Sequence, residues 1–410
     1  MKNFGIKLAL FINYFVFAIL LNSVGILIQK SINVYGVDEV AASSLEAFKD
    51  LSIAVVSFFI GAFLPRLGYK KGILIALGLV LVGCISLYVG NSFPHVQILF
   101  LCTGISFAVV KVSVYALIGA VTDSQKSMNT LMSSIESFFM VGIAAAYIIF
   151  PLFYSDTDPN AWLKIYLLLA ILIGITFVLV SFTGFGTVPR PEKSNIKADF
   201  SRMLSLLKLP MVFVFAISAF MYVMTEQGIM SWLPTFNEKV LHLPEKLSVN
   251  MAVILALSIA LGRYLSGQLV KKVDWVRILI PCLIAAALLV VFVLPLAQKI
   301  SPRTVASFSD IPMIAFVFPL IGLFLAPIYP LMNSNVLGAV DKSLHSPLAG
   351  LLTFFSAIGG TFGSRIVGYL FREIGGNKAF YFSLVPLILL IFLLYLLDKN
   401  IRKSKAQKIG

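Results

Sequence analysis

Two apolar stretches, Ile105-Ser-Phe-Ala-Val-Val-Lys111-Val-Ser-Val-Tyr115 and Ser133-Ser-Ile-Glu136-Ser-Phe-Phe-Met-Val-Gly142, flank a polar turn, Thr122-Asp123-Ser124-Gln125-Lys126. Each stretch reads as a helix with one charge in an apolar setting. Lys111 lies about 12 residues before the turn and Glu136 about 10 after it, so both stand roughly 15–18 Å from it at 1.5 Å per residue. That is near the middle of a hydrocarbon layer about 30 Å thick. An isolated charge there costs roughly 3 kcal/mol or more, so it is expected to face a cavity or a partner. At similar depth on adjacent helices, Lys111 and Glu136 are expected to pair, either as a switch in a working cycle or as a static lock between two helices.

The rest of the chain repeats this pattern. Of 410 residues 59% are hydrophobic and 12% charged, against about 25% charged in an ordinary soluble domain, and the mean hydropathy is +0.98. The composition predicts an all-α membrane protein of twelve transmembrane helices, at roughly 5–30, 41–65, 71–91, 95–121, 128–153, 161–186, 209–236, 246–270, 276–298, 310–340, 346–371 and 377–397. The basic start Met1-Lys2-Asn3 leads into the first of these rather than into a cleaved leader. A polar stretch from Thr187 to Lys208, with Pro189 and Pro191 at its start, divides six spans from six. The expected organisation is an N-terminal half over 1–187, a cytoplasmic linker over 188–208, a C-terminal half over 209–398 and a basic cytoplasmic tail over 399–410.

The formal charge of +14 does not mark a nucleic-acid surface, because the bases gather in short loops. About 20 Lys and Arg fall on the side that holds both termini and about 7 on the other, which predicts cytoplasmic termini in a bacterial-type inner membrane. Cys84, Cys102 and Cys282 are isolated in apolar segments, and His95, His242 and His345 are scattered. Neither a disulfide framework nor a metal site is expected. No P-loop, nucleophile elbow or zinc motif is present. The chain is therefore expected to be no enzyme, to need no cofactor and to work as a monomer in the bilayer.

Corresponding loops of the halves echo each other: Gly61-Ala-Phe-Leu-Pro-Arg66-Leu-Gly68-Tyr-Lys70-Lys71-Gly72 and Gly267-Gln-Leu-Val-Lys271-Lys272-Val-Asp274. Two related six-helix units are a common transporter plan, with the solute site near mid-membrane. The 6+6 plan and the first loop resemble the major facilitator superfamily, with Pro65 where the usual motif carries an acid. Further stretches resemble its fucose–galactose–proton symporter branch: Ser44 to Gly72, Lys111 to Gly119, Ile135 to Gly142, Tyr222-Val-Met-Thr-Glu226-Gln-Gly-Ile-Met-Ser-Trp232-Leu-Pro234 and Gly262-Arg263-Tyr-Leu-Ser-Gly267. The resemblance implies gating roles for Gly61, Arg66, Gly68 and Lys70. It also exposes departures. The first helix offers Asn13, Tyr14 and Asn22 but no acid, Lys111 stands where fucose-moving members carry a glutamate, and Glu136 falls where the branch often has an asparagine. Fucose itself is not implied.

Several further groups are candidates. Glu46, Lys49 and Asp50 share one helical face. They are expected near the outer end of their span, either as an exposed charge cluster or as an outer gate. Tyr222, Glu226, Gln227 and Trp232 combine an acid, an amide, a hydroxyl and an indole on a helix softened by Gly228 and Pro234. That set suits a polyhydroxylated solute, although Trp232 alone also fits an interfacial belt. Arg263 lies toward the cytoplasmic end of its helix, as a gating group or one that snorkels to the surface. Arg365, among Gly359, Gly363 and Gly368, is expected deeper, as a counter-ion for Glu226 or a receptor for an anionic group. Pro327 and Pro330 allow the tenth span to bend and free backbone carbonyls, with Asn333 and Asn335 near the cavity.

Together these residues predict secondary active transport of a small polar solute, a sugar or sugar derivative first, by proton-coupled symport. Lys111, Glu136 and Glu226 are the coupling candidates, and Lys111, Tyr115, Glu136, Tyr222, Glu226, Gln227, Trp232, Asn333 and Arg365 the solute candidates. Carboxylates and freed carbonyls would serve sodium as well as a proton. Two acids with two bases fit an anionic or zwitterionic metabolite, and efflux of amphipathic drugs is the further alternative.

Overall fold

A computed structural model describes residues 4–120, 125–155, 157–184, 204–270, 272–297, 300, 310–337, 339 and 345–409; among them there is no strand. The first compact unit comprises Met1–Val37 and Ser44–Ile196, the second Asp38–Ser43 and Lys197–Gly410.

In the first unit, α1 (Phe4–Asn22) and α2 (Val24–Tyr35) form one continuous span, Gly5–Tyr35. Gly36 ends it in the left-handed region, φ 65°, a conformation that a residue without Cβ adopts at no steric cost. The short α3 (Glu39–Ala42) is counted with the second unit. Then follow α4 (Ser44–Leu67), α5 (Tyr69–Gly90), α6 (Phe93–Ala120), α7 (Gln125–Ile149) and α8 (Lys164–Phe182). Their outer faces are apolar and open: Val89 is 75%, Ile171 61% and Phe182 88% exposed. Such exposure fits a lipid-facing surface, not one facing water.

The second unit holds α9 (Pro210–Lys239), α10 (Glu245–Met251), α11 (Val253–Leu269) and α12 (Trp275–Ala297). The tenth span is broken into α13 (Ile314–Val317), a 3₁₀ turn at Phe318–Leu320, α14 (Ile321–Leu325) and α15 (Ile328–Leu337). Pro319, Pro327 and Pro330 lie along it, and each lacks the N–H that an unbroken helix needs. After it come α16 (His345–Ile374), α17 (Gly376–Ala379) and α18 (Leu384–Ile409).

Among the described residues ten runs are long and apolar enough to cross a membrane. The 24-residue α4 and the 25-residue α7 complete twelve. The expected spans match within a few residues at most ends. The main departure is the tail, because the basic residues from Lys399 onward continue α18 to Ile409 instead of leaving the helix. Lys, Arg, Ala and Gln favour the helix, and Arg402 Nε donates to Asp398 one turn back at 2.8 Å. Most of the expected linker lies outside the described residues.

Close packing in the second unit depends on missing side chains. A Cβ at Gly363 would collide with the Met224 carbonyl of α9, which lets the backbones of α9 and α16 approach closely. Segment Asp38–Ser43 packs on the same pair of helices. Asp38 caps α3 through the Ala41 N–H at 2.5 Å and meets Arg372 Nη1 at 3.3 Å. Lys239 Nζ donates to Glu39 Oε1 at 2.7 Å. Arg365 Nη1 donates to the Val40 carbonyl and lies 3.5 Å from Ser43 Oγ. The Ala41 N–H holds the Asp38 carboxyl below the usual aspartate range, with Arg372 and Arg365 adding to the effect against a smaller opposing effect of desolvation.

Two expectations follow. Gly363→Leu should lower the detergent-solubilised melting temperature by the equivalent of roughly 1–3 kcal/mol, the usual cost of overpacking. Gly267→Leu, where nothing stands within 4 Å of the new Cβ, should leave it unchanged. For Asp38, the depressed pKa makes its contribution complete above about pH 4 and lost as the pH falls through the lowered value. The stability difference between wild type and Asp38→Asn should therefore be flat from about pH 5 to 8 and close on acidification below about 4, read by thermal melts across that range.

Candidate functional site

In the second unit Glu226 is the centre of a polar cluster drawn from four helices. The i, i+4 spacing on α9 lets the Tyr222 hydroxyl donate to Glu226 Oε1 at 2.6 Å. The guanidinium that reaches the same oxygen is that of Arg263 on α11, with Nη2 at 3.9 Å. Gly262 explains how Arg263 arrives there: a Cβ at that position would collide with the Leu323 carbonyl, so α11 lies directly on α14. From α15, Tyr329 stacks on Tyr222 with ring centroids 5.7 Å apart and planes at 27°. Asn333 on α15 and Ser356 on α16 neighbour the Tyr329 hydroxyl. The Tyr222 side chain is buried, whereas the side chain of Glu226 keeps 14% and that of Arg263 39% of its exposure. One edge of the cluster is thus accessible.

This arrangement changes the part expected of both arginines. Arg263, expected as a gating group or one that snorkels to the surface, lies within ion-pair distance of Glu226. Arg365, expected as a counter-ion for Glu226 or a receptor for an anionic group, donates to the Val40 carbonyl of α3. Trp232 is fully buried, donates its indole N–H to Ser364 Oγ at 3.0 Å and packs on Phe371 at 5.1 Å between centroids. Gln227 is half-buried beside the cluster on α9, and Asn335 is satisfied within its own helix by the Leu331 carbonyl at 2.8 Å. Tyr329 and Ser356 were not singled out from the sequence as site residues. The flanking Pro327 and Pro330 were the available signal for Tyr329.

In the first unit Lys111 is half-buried on α6, its ammonium 5.8 Å from the Phe107 ring centroid. Phe107 in turn contacts Tyr14 of α1 at 6.1 Å and Phe139 of α7 at 5.9 Å. The side chains of Tyr115, Glu136, Gly61 and Arg66 lie outside the described residues, and so does the expected Lys111–Glu136 pair. Gly68, at φ 91°, makes the turn from α4 into α5. Lys70 Nζ donates to the carbonyls of Ser181 at 2.7 Å and Thr183 at 3.0 Å. It caps the C-terminal end of α8, where a cation is favoured by the helix dipole.

Glu46, Lys49 and Asp50 differ most from the exposed cluster that their position near a span end suggested. They retain 0%, 4% and 8% of their exposure. Lys49 Nζ lies 2.6 Å from Glu46 Oε2 and 3.5 Å from Asp50 Oδ1. The cover comes from α6, where a Cβ at Gly104 would collide with the Lys49 carbonyl and Gln97 Nε2 donates to Ser44 Oγ at 3.1 Å. Among the described residues no group of three or more His, Cys, Asp or Glu side chains gathers in a geometry for holding a metal.

A sequence model of the Major Facilitator Superfamily matches residues 7–302. The protein TsgA homolog of Buchnera aphidicola subsp. Baizongia pistaciae is 20% identical over 275 residues, 66% of this chain and 67% of that protein. Among solved structures, a D-xylose–proton symporter superposes with a TM-score of 0.73 at 14% identity, over 96% of this chain and 97% of its own. The nucleoside transporter NupG gives 0.74 at 13%, over 95% and 99%. The Escherichia coli fucose–proton symporter gives 0.65 at 13%, over 98% and 99%. At such identities the structural likeness carries the fold alone. The family model covers well over half of the chain, and its twelve-helix plan is the one described above: the chain belongs to the Major Facilitator Superfamily and is a multi-pass membrane transporter, not an enzyme.

Proposed function

We propose that this transporter moves a small polar solute, a sugar or sugar derivative, by alternating access and proton-coupled symport. The observation that carries the solute class is the cluster at Glu226. A carboxylate accepts from sugar hydroxyls, while Asn333 and Tyr329 can both donate and accept. The Tyr222–Tyr329 stack offers an aromatic surface for C–H faces. The partial exposure of Glu226 and Arg263 lets a solute reach these groups. Fold neighbours described as D-xylose–proton and fucose–proton symporters support the same reading. Proton coupling is assigned to Glu136 and Glu226 with Lys111. The chain acts as a monomer in a bacterial-type inner membrane with both termini cytoplasmic, and needs no cofactor beyond the ion gradient.

One observation favours a second reading. Arg263 holds a guanidinium, 39% exposed, beside the carboxylate. A zwitterionic or anionic metabolite would use that guanidinium as its anchor.

Thermal-shift screening of the purified protein separates the two. Neutral monosaccharides and amino sugars should raise the melting temperature by mass action, and Glu226→Gln should weaken the best of them by about 10- to 100-fold, the equivalent of a charged hydrogen bond at roughly 1.5–3 kcal/mol. A panel in which only organic acids or amino acids stabilise the protein, with Arg263→Gln more damaging than Glu226→Gln, would replace the sugar reading by the zwitterion reading. For coupling, Glu136→Gln in proteoliposomes should abolish uphill uptake of the identified solute while leaving counterflow exchange partly intact. Undiminished uphill uptake by that variant would remove Glu136 from the proton path.

A further inference from the structure

The last helix of the second unit does not stop where its apolar span stops. Along α18 the exposed face is a stripe at steps of three and four: Val385, Ile388, Phe392 and Tyr395, at 56%, 61%, 60% and 64% exposure. The other face, with Leu394, Leu397 and Ile401, is buried to within 2%. Carried on by the same steps, the exposed stripe reaches Lys399, Arg402 and Lys403, and all three are exposed. One face of one helix thus passes from apolar side chains to bases within about a turn. A tyrosine stands at the boundary, the place that amphipathic rings take at a membrane interface.

Beside it α12 repeats the pattern. The two helices pack on each other. Successive spans alternate in direction, so the start of the ninth, α12, and the end of the twelfth, α18, lie on the same side of the membrane. The exposed stripe of α12, with Phe292, Leu288 and Ile284 at 67%, 48% and 45%, runs back through Pro281 to Arg277, which is exposed. Lys272, just before α12, is exposed as well. The two acids of these segments are already engaged. Asp398 pairs with Arg402 Nε at 2.8 Å, and Asp274 Oδ1 accepts the Val276 N–H at 3.0 Å. Over 272–277 and 398–403, five exposed bases stand against those two carboxylates.

We propose that the joined ends of α12 and α18 are a docking surface for an anionic phospholipid. Arg277, Lys399 and Lys403 hold the headgroup phosphate, and the acyl chains lie along the two apolar stripes. The occupant follows from the order of chemistry along each face. A phospholipid is apolar and then anionic in the same direction and at the same depth. A soluble acidic protein would meet the bases and leave the stripes uncovered. Long Lys and Arg stems cover apolar surface while their charged heads reach the headgroup level. Each base near an anionic surface strengthens binding by roughly fivefold. The surface is independent of the solute and coupling readings.

Native mass spectrometry of the purified full-length protein tests the proposal, with phosphatidylglycerol and phosphatidylcholine of matched chains as probes. Wild type should retain phosphatidylglycerol roughly tenfold or more in preference to phosphatidylcholine. The triple variant Arg277→Gln, Lys399→Gln, Lys403→Gln should lose that preference, and Lys164→Gln, an exposed lysine of the first unit, should keep it. All three replaced side chains are exposed, so the lipid-free melting temperature of the triple variant should equal that of wild type. Wild type alone supplies a second measurement. The rise in its melting temperature with phosphatidylglycerol should shrink between about 0.1 and 1 M salt, as the Debye length falls from about 10 to 3 Å. Equal retention of the two lipids by wild type, or an unchanged preference in the triple variant, would overturn the docking surface. Equal stabilisation by glycerophosphoglycerol, which is the same headgroup without chains, or by polyglutamate would assign the bases to soluble anions and overturn the lipid as occupant.

Discussion

A charge placed in hydrocarbon must find a partner, and the polar architecture of this transporter follows from that constraint. Removing an ion from water costs several kcal/mol even after the protein relaxes around it. Each unit meets the cost internally. Glu226 takes a hydroxyl from its own helix and a guanidinium from α11. Lys49 is flanked by carboxylates one turn back and one residue on. Lys30 rests on an aromatic face, and Lys70 on two carbonyls at a helix end. None of these solutions is an isolated ion.

Helix approach determines which partners are available. Where Gly104 faces Lys49, α6 comes near enough to seal the α4 triad with backbone instead of side chains. Where Gly262 faces Leu323, α11 is pressed onto α14 and its next residue, Arg263, is brought to Glu226. In membranes the gain from such contacts is dispersion and close packing, because lipid tails are as apolar as the side chains they replace. The missing Cβ atoms therefore act on function at one remove, by fixing the depth and rotation at which charged neighbours are presented.

The spans were legible because a run of about 20 apolar residues has few other uses. The pairing of Tyr222 with Glu226 was legible because four residues on a helix are neighbours. Rotation about the helix axis was not. Uniformly apolar helices give no polar face to orient them, so depth can be counted along the chain while direction cannot. Arg263 and Arg365 show this most clearly. Arg263, expected as a gating group or one that snorkels to the surface, lies beside Glu226, and Arg365, expected as a counter-ion for Glu226 or a receptor for an anionic group, reaches a carbonyl 325 positions away in the chain. Trp232 likewise reads as an aromatic platform, yet its indole N–H is spent on Ser364, 132 positions away. The burial of Glu46 depends on α6 covering it, a fact about packing that its own neighbours in sequence do not carry. In α18 the helix runs past the expected span end at 397, because the basic residues that follow are good helix formers and Asp398 supports Arg402 at i, i+4.

The two clusters differ in exposure, the property that recognition of a solute requires. A solute must enter and leave, so the groups that bind it need an open edge, and Glu226 with Arg263 keeps one. The α4 triad is closed to within 8% exposure at every member. It offers a solute no open edge, and its charges are matched to one another inside the packing of α4 against α6.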